Sequence, residues 1–539
     1  MKINKFLLGA FALSMTFASC SNDEPAKGGD SGNVINGEKY IAVNIENLSN
    51  GSRATVVGSP EFEDAKGQEG VITAPNLYFF FFDDKGNAFP LSAGSVNGTV
   101  ISNMVKPTSL ENTNTEGDGS ETKLKGILVL GKAVGEGYVG KTPKYMLCVA
   151  NPTVSLGSLE NKNMSTVLAT PTTAPTAWTN DPTSTSTTVM KTFLMTNSVY
   201  ADDKGNVINR VDVDGKFQDT PELATENPVV IHLERLVAKV RTTYASSYNV
   251  QVRKQDGTID PNGTFNLDNE DVKFTVRVDG WGLRKLAGTA AAYKKLTPAN
   301  YAAWDWTWND PTKHRSYWAE SEHGTNFRES EKYDIYSSTQ FTLGSFNAAA
   351  PTENITYCYE NTGYTDTEVN DRSNNTMATG IMVKATILKD GTPVDMFKWA
   401  GSYHTAADMK AHVAQAYNAT NPVVLATADN VTFETNNAGN NTWHAVVTIN
   451  DVPTSMADLF GDLKWWKNGV TSYYLNIKHL GNLTGVVRNH IYDYVLESVV
   501  GLGVPGNDPE NPTPDEETFL AARVNVLNWH VVSNKVTLE

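Results

Sequence analysis

Apolar and polar positions alternate along most of the chain, and the alternation is that of strands. In Tyr40-Ile41-Ala42-Val43-Asn44-Ile45-Glu46, the residues Ile41, Val43 and Ile45 interleave with Ala42, Asn44 and Glu46, the period of a half-buried strand. Apolar runs recur at Leu77 to Phe82, Lys125 to Leu130, Lys144 to Ala150 and Thr192 to Thr196, separated by Gly, Pro, Asn and Asp clusters. A second set opens with Val229 to Thr243, where Pro228 fixes the entry and Arg235 and Lys239 interrupt the apolar positions. It continues through Val272 to Val278, Ile355 to Tyr359, Gly380 to Leu388, Trp443 to Ile449, Tyr473 to His479 and His490 to Val500. The best helical pattern is Ala406 to Tyr417, with Met409, Val413 and Ala416 on one face. The chain therefore reads as mainly β with few short helices, in two domains whose boundary falls near residues 222–230.

The two ends read differently. Lys2 and Lys5 precede an apolar stretch, Phe6 to Phe17, and Ala18-Ser19 leads to Cys20, the arrangement of a bacterial lipobox in which the thiol is acylated and becomes the new N-terminus. Residues 1–20 are thus a lipoprotein signal, and the acidic Asp23-Glu24 that follows looks like a surface-export signal. Residues 21–38 have almost nothing to bury and form a tether. After the first strand, Ser49 to Ser52 brings Arg53 into a Gly/Ser loop, a good protease target. At the other end, a Pro/Asn/Asp-rich linker, Val504 to Glu516, precedes Phe519 to Leu527 and Trp529 to Leu538, where apolar residues broadly alternate.

The 539 residues carry 44 Lys+Arg against 60 Asp+Glu, a net charge of −16, with 40% hydrophobic residues. That balance describes a foldable acidic chain and argues against nucleic acid as a partner. Three cysteines cannot make a disulfide framework, and Cys148 and Cys358, inside apolar strands of different domains, read as buried unpaired thiols.

Candidate chemistry is sparse. Gly135 to Thr142 satisfies the P-loop expression, but Pro143 and the strand at Tyr145 to Ala150 follow where a phosphate-facing helix is required, so a glycine-rich hairpin is the reading. Gly29-Asp30-Ser31-Gly32 lies in the tether, where nothing would hold a His and an Asp against the serine. Asp212 and Asp214 before Gly215 suggest a calcium loop, yet Arg210 and Pro221 occupy its end positions, and an Asp-Gly turn fits better. The nine histidines show no HExxH or paired spacing, so no metal or cofactor is expected. Trp304, Trp306 and Trp308 alternate on one face of a strand, either an apolar layer over a sheet or a sugar-stacking platform.

Several motifs resemble the fimbrillin family of Bacteroidetes type V pili: the lipobox, the strand before Arg53, Val149-Ala150-Asn151-Pro152, Met195-Thr196-Asn197-Ser198 and Leu233 to Val240. The C-terminal half adds Gly280-Trp281-Gly282-Leu283, Arg315-Ser316-Tyr317-Trp318, Tyr357 to Asn361, Asn468-Gly469 leading to Tyr473-Tyr474, and Val487-Arg488-Asn489-His490-Ile491-Tyr492. The resemblance spans essentially the whole chain, with weaker motifs before residue 225.

The resemblance implies two tandem transthyretin-like β-sandwich domains, residues 54–225 and 226–539, the second carrying a donor-strand tail at 517–539. It implies an outer-membrane lipoprotein precursor acylated at Cys20 and cut by an Arg-specific protease between Arg53 and Ala54, so that residues 21–53, first strand included, leave as a propeptide. It further implies a non-enzymatic shaft subunit of an adhesive surface fimbria. Its partners would be other copies of itself, accessory tip and anchor pilins, and host or bacterial surface ligands. Val524, Val526, Trp529, Val532, Val536 and Leu538 are the expected groove-filling positions of the tail. The rival readings are a tip or anchor pilin, and a glycan-binding surface lipoprotein using Trp304, Trp306 and Trp308.

Overall fold

The computed structural model describes residues 39–47, 72, 74–93, 100–112, 123–152, 159–173, 193–296, 313–315, 319–321, 354–364, 379–435, 445–454, 463–479, 484–506, 519–527 and 532–534, apart from positions 108, 203, 205, 255, 285, 288 and 400. Within them the chain is mainly β, and two large sheets follow one another along the sequence.

The first sheet runs, in spatial order, Met104–Val105, Leu77–Phe82, Tyr145–Ala150, Met195–Asn197, Val229–Arg235, Lys39–Asn47, Lys123–Leu130 and Leu110–Asn112. Val211–Asp212 pairs with Tyr145–Ala150 at the side. Leu77–Phe82 is apolar at every position because both its faces are covered. Phe79 and Phe81 enter a core with Met146, Cys148, Leu128 and Ile231, whereas Phe80 and Phe82 enter a second cluster with Leu147, Val149, Tyr357, Tyr359 and Ile491. That second cluster joins the two large sheets.

The second sheet runs Asn354–Tyr359, Val237–Thr243, Ile491–Val500, Ser247–Arg253, Thr275–Arg284, Gly380–Lys389, Val470–Asn476 and Val504–Pro505. The apolar run Val229 to Thr243 is two strands rather than one: Val229–Arg235 closes the first sheet, Val237–Thr243 opens the second, and the chain crosses at the buried Leu236. Arg235 and Lys239 interrupt the pattern because they sit at this crossing, both buried.

A smaller layer covers the far end. Met396–Trp399, Ser402–Thr405 and Lys464–Trp466 pair in one sheet, and the helix Ala406–Thr420 packs Met409 and Val413 against Phe397, Val431, Val447 and Trp465. Thr405 caps the helix by accepting from the Asp408 amide at 3.3 Å. Ala416 of the expected stripe packs partly buried against the same cluster, and Ala414 beside Val413 widens the inner face.

The glycine-rich stretch that matches the P-loop expression forms turns with positive φ at Gly135, Gly137 and Gly140, then the strand Tyr145–Ala150, and no helix. Asp212 forms a turn in which its carboxylate accepts the Asp214 amide, while Asp214 pairs with Lys144 at 2.5 Å. Cys148 and Cys358 are buried and unpaired, and burial pushes both thiols far above their ordinary pKa.

Candidate functional site: the first strand, its groove and the seam

Lys39–Asn47 lies inside the first sheet with a neighbour on each side. It pairs in parallel with Val229–Arg235, from Val43 opposite Val229 to Asn47 opposite Leu233, and antiparallel with Lys123–Leu130, from Lys39 opposite Leu130 to Glu46 opposite Lys123. Ile41, Val43 and Ile45 are fully buried among Phe79, Leu128, Cys148 and Ile231, as the two-residue period requires. The strand entrance is held by reciprocal 2.9 Å bonds between the Tyr40 and Gln218 backbones and by an ion pair between Lys39 and Asp219. The short helix Pro221–Glu226 lies against the strand, with Ala224 buried.

The physical consequence of losing this strand is specific. Three fully buried aliphatic side chains are worth about 1.5–3 kcal/mol each. Both flanking strands would also become edges with unpaired N–H and C=O groups facing the same slot.

The last strands occupy a different position. Phe519–Leu527 pairs antiparallel with Ile491–Val500 along almost its whole length, with one irregularity between Leu496 and Ser498, and Val532–Asn534 pairs outside it. Val524 and Val526 lie in the inner of these strands and Val532 in the outer. The tail strand Phe519–Leu527 and the first strand are both nine residues long. The predicted positions Cys20, Arg53, Ala54, Trp304, Trp306, Trp308, Trp529, Val536 and Leu538 lie outside the described residues.

The solved structures that resemble the chain do so at low identity. The tip fimbrial protein of Porphyromonas gingivalis, determined with a C-terminal truncation, is 10% identical, with 91% of this chain and 100% of that one covered and a TM-score of 0.33. A fimbrial assembly protein of Parabacteroides distasonis is 9% identical over 93% of this chain and 99% of its own, with a TM-score of 0.29. No family model and no curated relative matches.

Four of the motifs singled out in the sequence, Met195 to Ser198, Leu233 to Val240, Tyr357 to Asn361 and Val487 to Tyr492, contribute to the crossing between the two sheets. Arg488 and Glu360, each essentially without solvent exposure, form a two-pronged pair in which Arg488 Nε donates to Glu360 Oε2 at 2.8 Å and its NH2 group to Oε1. The same guanidinium donates to the Ala291 carbonyl at 2.7 Å and the Ala292 carbonyl at 3.2 Å. Glu234 pairs with Lys294 at 2.7 Å, both side chains buried. The Thr196 hydroxyl donates to Ala292 O at 2.9 Å, and Asn489 N donates to Val237 O at 2.7 Å. Arg235, fully buried, reaches Asn489 Oδ1. These residues position one sheet on the other. Lys294, which completes the second buried pair, carries no sequence signal, because it follows an unremarkable Ala-rich stretch and its partner is distant in sequence.

Proposed function

We propose that this chain is a surface fimbrial shaft subunit, without catalytic activity, that polymerises by strand exchange. In this reading Cys20 carries a lipid that takes the precursor to the outer membrane, and cleavage between Arg53 and Ala54 frees residues 21–53 with the first strand. The tail of another copy then fills the vacated slot. The observation that carries the reading is the place of Lys39–Asn47 between two ladders with Ile41, Val43 and Ile45 buried. A strand so placed leaves a slot when it goes, whereas an edge strand leaves only a new edge. The contact joins the tail of one subunit to the groove of the next, two unlike surfaces, so it is heterologous and extends into a filament.

The test is electron microscopy and N-terminal sequencing of protein purified from cells that make the wild type or Arg53→Ala. Wild-type filaments should begin at Ala54, and the Arg53→Ala protein should keep its first strand and stay monomeric. Filaments from Arg53→Ala protein that retains residues 39–47 would overturn the exchange reading. The acylation step has its own check: Cys20→Ala should abolish fatty-acid labelling and block maturation, and normal surface delivery of the unlabelled protein would sink it.

A further inference from the structure

Three metal-ligating side chains converge in the small layer at the far end of the second sheet, remote from the groove and the seam. His404 stands in the strand Ser402–Thr405, and Asp408 and His412 stand one and two turns into the helix that follows. Spacings of four residues put Asp408 and His412 on one helix face, and the Thr405 cap folds His404 back over that face. Asp408 Oδ2 lies 2.8 Å from His404 Nδ1 and 3.2 Å from His412 Nε2. One potential donor atom from each of the three residues falls within 4.8 Å of the others. The two imidazoles meet edge to face, with centroids 5.0 Å apart at 72°.

We propose that His404, Asp408 and His412 bind a divalent late transition metal, with Zn2+ the first candidate. In a tetrahedral site with metal–ligand bonds of about 2.0–2.1 Å, ligand atoms stand about 3.3 Å apart, and the two separations to Asp408 Oδ2, 2.8 and 3.2 Å, lie close to that spacing. Two imidazoles and one carboxylate suit Zn2+, Ni2+ or Cu2+, whereas Ca2+ and Mg2+ take shells of oxygen atoms. Three protein ligands leave a further position, and Asp268 is beside it: its Oδ1 is 3.9 Å from His404 Nδ1 and accepts the Thr405 amide at 3.0 Å. An ion has a way in, because the His412 and Asp408 side chains retain 35% and 39% of their exposure. Bound metal would tie the helix to the strand before it and stiffen this layer.

Trp399 supplies an internal reporter, its ring centroid lying 6.1 Å from that of His404 and 5.4 Å from that of His412. The experiment is calorimetric titration of tag-free, uncleaved protein that retains the first strand with ZnCl2, paired with fluorescence quenching by CuCl2. Wild type should take up one equivalent of Zn2+, and Cu2+ should quench a component of the emission that Trp399→Phe removes. His412→Gln changes a half-exposed helix position and leaves the cap intact, so it should fold normally yet lose at least about tenfold in affinity. His404→Gln should do the same where circular dichroism shows it folded. Failure of the wild type to bind Zn2+ stoichiometrically, or unchanged affinity in folded His412→Gln, would overturn the proposal and leave the cluster as a hydrogen-bonded helix cap.

Discussion

The first strand and the tail strand Phe519–Leu527 each lie between two backbone ladders, and they differ in what forms the second one. Lys39–Asn47 is clasped between Val229–Arg235 and Lys123–Leu130, and its aliphatic side chains are part of the core. Phe519–Leu527 pairs with Ile491–Val500 on one side, and among the described residues the short Val532–Asn534 flanks it on the other. Removing the first opens a two-walled slot of defined length. Removing Val532–Asn534 uncovers one short ladder. The acceptor of an exchange must be the kind of site that cannot stay empty at low cost, and the donor must be a segment its own domain can spare. In the exchange reading proposed above, the first strand stands for the acceptor site and Val532–Asn534, at the margin, for the segment its own sheet can spare.

The comparison is broken most directly by deleting residues 39–47. The three buried aliphatics sum to roughly 5–9 kcal/mol, against a total domain stability of about 5–15 kcal/mol, so the first sheet should lose its cooperative unfolding transition. Cys148 gives a local readout because it shares that core, whereas Cys358 belongs to the second sheet. Alkylation under native conditions should label Cys148 in the deletion protein while Cys358 stays protected. Equal protection of both thiols would mean that the first sheet closes over the gap unaided. Val43→Asn should act in the same direction with a loss of about 3–5 kcal/mol, since it empties an apolar position and buries an unpaired amide.

The seam tests whether the two sheets respond independently. Arg488→Ala leaves Glu360 as an uncompensated buried charge and also strips a donor from the Ala291 and Ala292 carbonyls, so denaturant unfolding should show a loss of about 3–5 kcal/mol. Arg488→Met combined with Glu360→Leu should recover part of this, because the lone charge is gone but the two carbonyls remain unserved. Complete recovery in the double variant would mean that those carbonyls find other donors.

Much of the architecture was legible because strand period and turn residues are local signals. The alternation Ile41, Val43, Ile45 located the first strand, and Pro143 with the following apolar run excluded a P-loop helix. What escaped was set by the tertiary structure. Nothing in Val229 to Thr243 marks Leu236 as a crossing, since an apolar run looks the same whether it serves one sheet or two. Arg235 reads as an interruption because its partner Asn489 is far away in sequence, as is Lys294, the partner of Glu234. His404, Asp408 and His412 escaped a search for HExxH spacing because one ligand precedes the helix and is brought back by the Thr405 cap.

The smallest effect on stability belongs to the tail, and there the comparison is sharpest. Deleting Val531 to Glu539 removes Val532–Asn534, which among the described residues pairs only with Phe519–Leu527 at the margin of the sheet. Edge backbone bonds are worth about 0.5–1.5 kcal/mol each before the entropy of ordering the strand is subtracted, so the thermal transition should move by less than about 1 kcal/mol equivalent. The same truncation should nonetheless stop assembly if the tail is the donor, because a strand entering a two-walled slot forms ladders on both sides and fills the positions of Ile41, Val43 and Ile45 with its own alternate side chains. The truncated subunit should therefore be folded, secreted, cleaved at Arg53 and monomeric. Cysteines placed at Val532 and at Gly126, which lines the slot as the register partner of Val43, should cross-link between subunits in wild-type-length filaments. Filaments of normal length from the truncated protein, or cross-links found only within single chains, would show that the tail does no more than edge its own sheet.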